Sequence, residues 1–343
     1  VLPALPPAAR FGGLNATGLC EVTDDLGALD RGGRWAVVLP YDGPPVCARF
    51  AHWERGEATD VAGPWWGPER STWTTSADRG AYVAAVEEVR HRIAAGDVYQ
   101  ANVCRVLSAP IPYADRADVG GLHVLLRVGN PAPYGGFVRL PGLAVVSASP
   151  ELFLSRSGDR LVSGPIKGTG RTAADLTDKD RAENVMIVDL VRNDLSAVCR
   201  TGTVHVPDLL ALEVHPGLVH LVSRVAGDIR AGAGWSDIIG ATFPPGSVTG
   251  APKSSALRII GDVETASRGV YCGAIGWVDA DTREAELAVA IRTFWCPGDG
   301  TVRFGTGAGI TWGSSPEREW DETELKARRL TGVAGGVWEA DEP

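Results

Sequence analysis

Lysine is scarce in this chain. Of 33 lysine and arginine residues, only Lys167, Lys179, Lys253 and Lys326 are lysine. A lysine kept where arginine otherwise serves points to a compact ammonium, or to an amine that can lose its proton and attack. Lys167 stands in Gly164-Pro165-Ile166-Lys167-Gly168-Thr169. Burial there would lower its pKa and free a nucleophile, whereas a surface turn would leave an ordinary charge. Carboxylates follow at a spacing of three. Asp180 and Glu183, and again Glu319 and Glu322, would share a helix face, with Lys326 one turn beyond Glu322. Two such helices can hold an oxygen-preferring divalent ion such as Mg²⁺ beside a substrate carboxylate. Two solvated acidic faces would carry the same spacing.

Other candidates are single residues. Glu151 lies between Pro150 and the apolar Leu152-Phe153-Leu154. Desolvation would keep it protonated as a general acid, though a strand-edge glutamate fits the same setting. His220, between Val219 and Leu221, is either a sheet-packing histidine or a proton donor. Arg292 falls in the strand-like run Ala290-Ile291-Arg292-Thr293 and needs an anion, either a substrate carboxylate or an internal acid. Two glycine-rich segments invite misreading. Residues 246–253 lack the glycine spacing of a phosphate loop, and Pro252 precedes Lys253. Gly305-Thr306-Gly307-Ala308-Gly309 lacks the dinucleotide spacing. Backbone N–H groups of either can bind a carboxylate, or simply turn the chain.

These residues need elements to hold them. Tyr82, Val86, Val89 and Ile93 recur at helical spacing, which predicts a helix within residues 76–95, ended by Gly96-Asp97. Residues 98–107 suit a strand with Gln100 and Asn102 on a polar face. Helices are also expected at 119–130, 178–195, 234–241, 254–264 and 316–330. Strands are expected at 137–140, 144–147, 204–212, 220–229, 270–278, 285–293 and 302–305. Runs of strands between long helices favour an α+β fold with large antiparallel sheets. Residues 1–75, rich in Gly and Pro, read as a short β-rich portion packed on a catalytic region at 76–330, with a tail at 331–343.

Bulk properties narrow the function. A formal net charge of -9 argues against nucleic acid. No apolar run approaches a membrane span, and the first residues lack a signal-peptide pattern, so a cytoplasmic protein is expected. Six cysteines without a CxxC pair read as reduced thiols.

Taken together in order, the motifs resemble the chorismate-utilising enzymes, and among them the component I branch of aminodeoxychorismate synthase. The resemblance runs from about residue 76 to 330. It rests on Gly96-Asp97-Val98-Tyr99-Gln100-Ala101-Asn102, Ser149-Pro150-Glu151, Pro165-Ile166-Lys167-Gly168-Thr169 and the Glu183 to Asp194 run. It continues through residues 246–253, Tyr271-Cys272-Gly273-Ala274-Ile275-Gly276, Ala290 to Thr293 and Gly307 to Ile310, and ends with Glu319, Glu322 and Lys326.

The resemblance implies two large, mostly antiparallel sheets stacked between helical layers. It implies Mg²⁺ held by Glu183 and Glu322, assisted by Asp180 and Glu319. Arg292, Tyr271, Lys326 and the Gly307, Ala308 and Gly309 backbone would hold the enolpyruvyl carboxylate of chorismate, and Thr249 and Gly250 the ring carboxylate. Glu151, with His220 nearby, would assist loss of the C4 hydroxyl. Water-using relatives carry a lysine base where this chain has Gln100, and anthranilate synthases carry alanine where it has Lys167. Lys167 would then attack C2 before ammonia adds at C4. No glutaminase nucleophile turn is present, so a separate glutamine amidotransferase subunit is implied. Asp180 replaces a common glutamate, and Asn184 a common histidine. The alternatives are an anthranilate synthase component I and a non-catalytic chorismate-binding regulatory subunit.

Overall fold

Local signals start and stop the helices. In the computed structural model, which describes residues 5–170, 172–215 and 218–336, α1 spans Arg79–Ala95. Asp78 caps it by accepting from the Ala81 N–H, and Gly96 ends it at φ 85°. The helix buries Tyr82, Val86 and Val89, three of the four residues whose spacing predicted it. Helix α2 is Val119–Gly129. Helix α3, Asp178–Ser196, opens on a capping box in which Thr177 and Asp180 satisfy each other's backbone N–H. Helices α4 (Trp235–Thr242) and α5 (Lys253–Val263) flank the loop at 243–252. Helix α6, Pro316–Ala334, carries proline in its first turn, where a missing N–H costs nothing.

The strands pair antiparallel throughout and form one hydrogen-bonded network of eighteen among the described residues. From one end the path runs Gln100–Pro110, Thr301–Ile310, Thr293–Cys296, Leu143–Ser149, Tyr134–Leu140. The short strand Ala8–Phe11 comes next and pairs with both Tyr134–Leu140 and Leu14–Thr23. Beyond it lie Val46–Arg55, Arg34–Leu39, Ala274–Asp279 and Glu284–Val289. Leu152–Ser157, Arg160–Gly164, Leu218–Asp228 and His205–His215 complete the path. The fold is therefore α+β as expected, and its two sheets are halves of one curled sheet that meet at Ala8–Phe11.

The β-rich stretch read within residues 1–75 contributes strands to this sheet: Arg34–Leu39 lies between Val46–Arg55 and Ala274–Asp279. Its Trp35, Val37, Val38 and Leu39 are fully enclosed in the larger core, with Ile187 and Leu195 of α3. A second core joins Leu122 and Leu126 of α2, Phe294, Phe304 and Leu330 of α6. Helix α3 packs on Leu218–Asp228 and α6 on Thr301–Ile310. The two acidic helices are thus fixed to opposite halves of the sheet. Among the described residues, no helix is long and apolar enough to cross a membrane.

Candidate active site

Lys167 sits on the strand Ile166–Gly170, beside α3. Its Nζ donates to the Ser247 carbonyl at 3.0 Å. Burial drives its pKa down, opposed by the carboxylates of Glu151, Glu183 and Glu322. The two glutamates from different helices therefore converge on one amine. The strand kinks here because Gly168 has φ 88° and lies against the Asp180 side chain.

Glu151 is 4% exposed, just before the strand Leu152–Ser157. Burial lifts its carboxyl to about 7, while the Ser247 hydroxyl, the Lys167 ammonium and the Ile166 N–H favour the ionised form. The opposing pair thus holds its proton to neutrality, beside an amine that gives its proton up early. His220 is buried on Leu218–Asp228, in register with Thr169 and Glu213. Next to it, the Leu221 carbonyl accepts from Asn184 Nδ2 at 3.0 Å, and Ser223 Oγ donates to Asn184 Oδ1 at 2.5 Å. Asn184 is therefore a fully buried tie between α3 and this strand.

The four expected metal carboxylates fare differently. Glu183 meets Lys179 at 3.6 Å, and Glu322 meets Lys326 at 2.6 Å. Burial raises the pKa of Glu319, and the Glu322 charge adds to it; the Ser314 hydroxyl and the ammonium groups of Lys179 and Lys326 oppose the rise. Lys179 belongs to α3 and Glu319 to α6, so the acidic faces do confront each other. Asp180 Oδ2 accepts from Thr177 N and Oγ1 at 2.8 and 2.6 Å, and so serves the helix cap. Among the described residues, no three His, Cys, Asp or Glu side chains are grouped closely enough to hold an ion as they stand. The donors are nonetheless all hard oxygens, two of them held by ammonium groups that a cation would replace, which suits Mg²⁺.

A floor of backbone lies between these groups. Gly250 pairs with Ala101, and Thr249 accepts from the Asn102 N–H at 2.8 Å. The Thr249 hydroxyl turns inward to the Pro245 and Gly246 carbonyls, both at 3.2 Å. Gly307 and Gly309 face Cys104 and Asn102 in the next strand, with Ala308 between them. A Cβ on Gly307 would meet the Val103 carbonyl, and one on Gly309 the Gln100 amide. Lys326 Nζ donates to the Gly307 carbonyl at 3.2 Å. Tyr271 is buried with its ring over Gly305, and burial raises its phenol pKa. Gln100 is fully buried; Nε2 reaches Asn102 Oδ1 at 3.4 Å, and Oε1 meets no donor among the described residues.

One expectation is corrected. The strand expected over 285–293 breaks into Glu284–Val289 and Thr293–Cys296, and Arg292 lies in the gap at φ 51°. Alternating side chains gave no warning of a left-handed residue. Its guanidinium is half-buried, and no hydrogen bond or ion pair to it occurs among the described residues. Burial and the neighbouring Arg329 charge lower its pKa. Such a cation asks for an external anion. The residue that sequence reasoning missed is Ser247, which touches both Lys167 and Glu151. Its signal was the loop at 246–253, set aside as a phosphate loop. Lys253 of that loop is spent on Asp194 at 2.7 Å and the Thr242 carbonyl at 3.1 Å.

The sequence profile described as chorismate binding enzyme matches residues 45–332. Anthranilate synthase component 1 1 of Haloarcula marismortui is 40% identical over 282 residues, 76% of this chain and 55% of that protein. Aminodeoxychorismate synthase component 1 of Bacillus subtilis is 38% identical over 258 residues, 71% of this chain and 53% of that protein. The chain thus spans about half the length of the curated relatives it matches. The solved anthranilate synthase component I of Streptococcus pneumoniae shares the fold, with a TM-score of 0.79 at 24% identity over 96% of this chain and 94% of its own.

Proposed function

Because the chain belongs to the chorismate binding enzymes, we propose that it aminates chorismate at C4, giving 4-amino-4-deoxychorismate. The observation that carries this reading is the Lys167 amine, bonded to the Ser247 carbonyl, beside the buried Glu151, with burial pushing the amine down and the acid up. Lys167, uncharged, attacks C2. The electron pairs of the conjugated diene shift, the C4–O bond breaks, and the hydroxyl leaves as water with the Glu151 proton. Ammonia then adds at C4, the diene returns, and the C2–Nζ bond breaks to release Lys167 as the amine. The surplus ammonia proton passes to the Glu151 carboxylate, which restores the acid. Chorismate and ammonia become the amine and water.

The remaining residues bind and orient. Arg292, Lys326, Tyr271 and the Gly307 to Gly309 backbone hold the enolpyruvyl carboxylate, and Thr249 and Gly250 border the ring carboxylate. Mg²⁺, held by Glu183 and Glu322 with Asp180 and Glu319 assisting, would neutralise that ring carboxylate. His220 lies near the departing hydroxyl. A glutamine amidotransferase subunit supplies the ammonia.

A second reading has its own support. Seven relatives that the chain matches are named anthranilate synthase component 1, and one aminodeoxychorismate synthase component 1. Amination at C2 with loss of pyruvate would give anthranilate directly. Incubation with chorismate, Mg²⁺ and ammonium, with products identified by mass and absorbance, separates the two. We expect 4-amino-4-deoxychorismate; its absence sinks the C4 reading, and anthranilate as direct product establishes the other. A non-catalytic regulatory subunit would form neither, and would have no use for the Lys167 amine set beside the buried Glu151.

A further inference from the structure

Arg268 is 1% exposed and lies outside every role assigned above. Its Nε and Nη2 grip the two carboxylate oxygens of Glu264 at 2.8 and 2.7 Å. Nη1 donates to the Val248 carbonyl at 2.9 Å, and Nη2 also to the Asn102 carbonyl at 3.1 Å. Tyr41 lies under the guanidinium, 4.5 Å from its carbon to the ring centroid. Glu264 Oε1 in turn accepts from the Cys104 N–H at 2.8 Å.

Two segments are joined by this one pair, the loop at Val248 and the strand Gln100–Pro110, which holds both Asn102 and Cys104. Val248 immediately precedes Thr249 and Gly250. Asn102 follows Gln100 and Ala101, and its own N–H bonds Thr249. Cys104 stands opposite Gly307 in the neighbouring strand. We infer that Arg268 and Glu264 form a positioning pair, which fixes the loop at 246–252 against the strand carrying Gln100 and Asn102 and so shapes the floor that receives the substrate's carboxylates. The inference rests on the chorismate reading only for what that floor receives.

Two arguments favour positioning over plain stability. A fully buried ion pair costs so much desolvation that apolar residues of similar volume commonly stabilise as well. The donors are also spent on two particular backbone carbonyls, both in segments that border the site. A planar fork with five donors can grip a carboxylate and two carbonyls together; a lysine ammonium has three donors and no fork.

The test has two arms. Amide hydrogen exchange of the free protein is measured over residues 246–252 in wild type, Arg268→Met and Arg268→Lys. Exchange there should quicken about tenfold or more in both variants, with smaller changes over α2. In the second arm, KM for chorismate should rise about tenfold while kcat falls less, the pattern of lost substrate positioning, and lysine should not restore it. Should Arg268→Met fail to fold, Arg268→Lys, which keeps the charge, is the variant read. A folded Arg268→Lys with wild-type exchange and wild-type KM overturns the inference, as does a fall in kcat alone at unchanged KM. Wild-type protein that does not bind chorismate would instead overturn the substrate reading, while the exchange arm would still decide whether the pair holds the loop.

Discussion

Lys167 and Glu151 bring opposite shifts to one point: burial makes the amine easier to deprotonate and the acid harder to ionise. Replacing Lys167 with alanine should cut C4 amination at least ~10²-fold and divert ammonia to C2, read as anthranilate in the product mixture. Arginine at the same place should not rescue, since it stays protonated. For Glu151, the acid form persists below about 7, so kcat should fall as pH rises through about 7. Glu151→Gln should remove that limb and lower kcat by ~10²–10⁴-fold in a pH–rate series. The same burial acts on stability. Between the usual carboxylate value and about 7, the folded protein keeps a proton that the unfolded chain has released. Stability at this site therefore declines as pH climbs through that window. Lys167 stood out in the sequence because lysine is rare here. Arg292 stood out only as a charge seeking an anion, because its left-handed backbone leaves no trace in an alternating pattern.

At the level of elements, helix boundaries were the readable part. Periodic apolar residues and Gly96 gave α1, and acidic spacing gave α3 and α6. The double use of Asp180 was not readable: an aspartate three residues after a threonine suits both a metal shell and a capping box, and only the fold shows the Thr177 bonds. Strand Thr301–Ile310 shows why its glycines matter. A Cβ on Gly305 would enter the space of the Tyr271 ring, which has no room to retreat because it is buried. Gly305→Ala should cost about 1–3 kcal/mol by denaturant titration, and raise KM for chorismate because Tyr271 is displaced. A Tyr271 that tolerated the methyl group would leave KM unchanged. Arg105 shows the same economy on the other side. Buried on Gln100–Pro110, it bonds Thr323 and Glu324 and lies 4.2 Å from the Trp320 ring, pinning α6 where its acids face α3.

The whole molecule depends on a seam that no local signal announced. Ala8–Phe11 pairs with both halves of the sheet, and Phe11 lies against Gly136. A Cβ at Gly136 would collide with the Phe11 ring and the Arg10 carbonyl. Gly136→Val should therefore lower the melting temperature and split one unfolding transition into two, as the halves part at different temperatures; a single unshifted transition would refute the seam. At the same scale, ammonium alone should support turnover by this chain and glutamine alone should not, with glutamine effective once an amidotransferase subunit is added. Composition and strand runs were enough for the α+β class. The order of strands was not, because pairing partners lie far apart in the chain.

That separation matters while the protein is being made. Arg34–Leu39 finds one neighbour at once, in Val46–Arg55, but its other neighbour, Ala274–Asp279, leaves the ribosome more than two hundred residues later. Until then a fully apolar strand edge, Trp35 to Leu39, waits without a partner, the kind of edge that pairs with whatever chain it meets. At typical elongation rates the wait lasts tens of seconds. Nascent chains halted before residue 270 should associate with chaperones or with each other, and chains released after residue 334 should not. The strand that completes the core is thus also the one most exposed to error on the way to it.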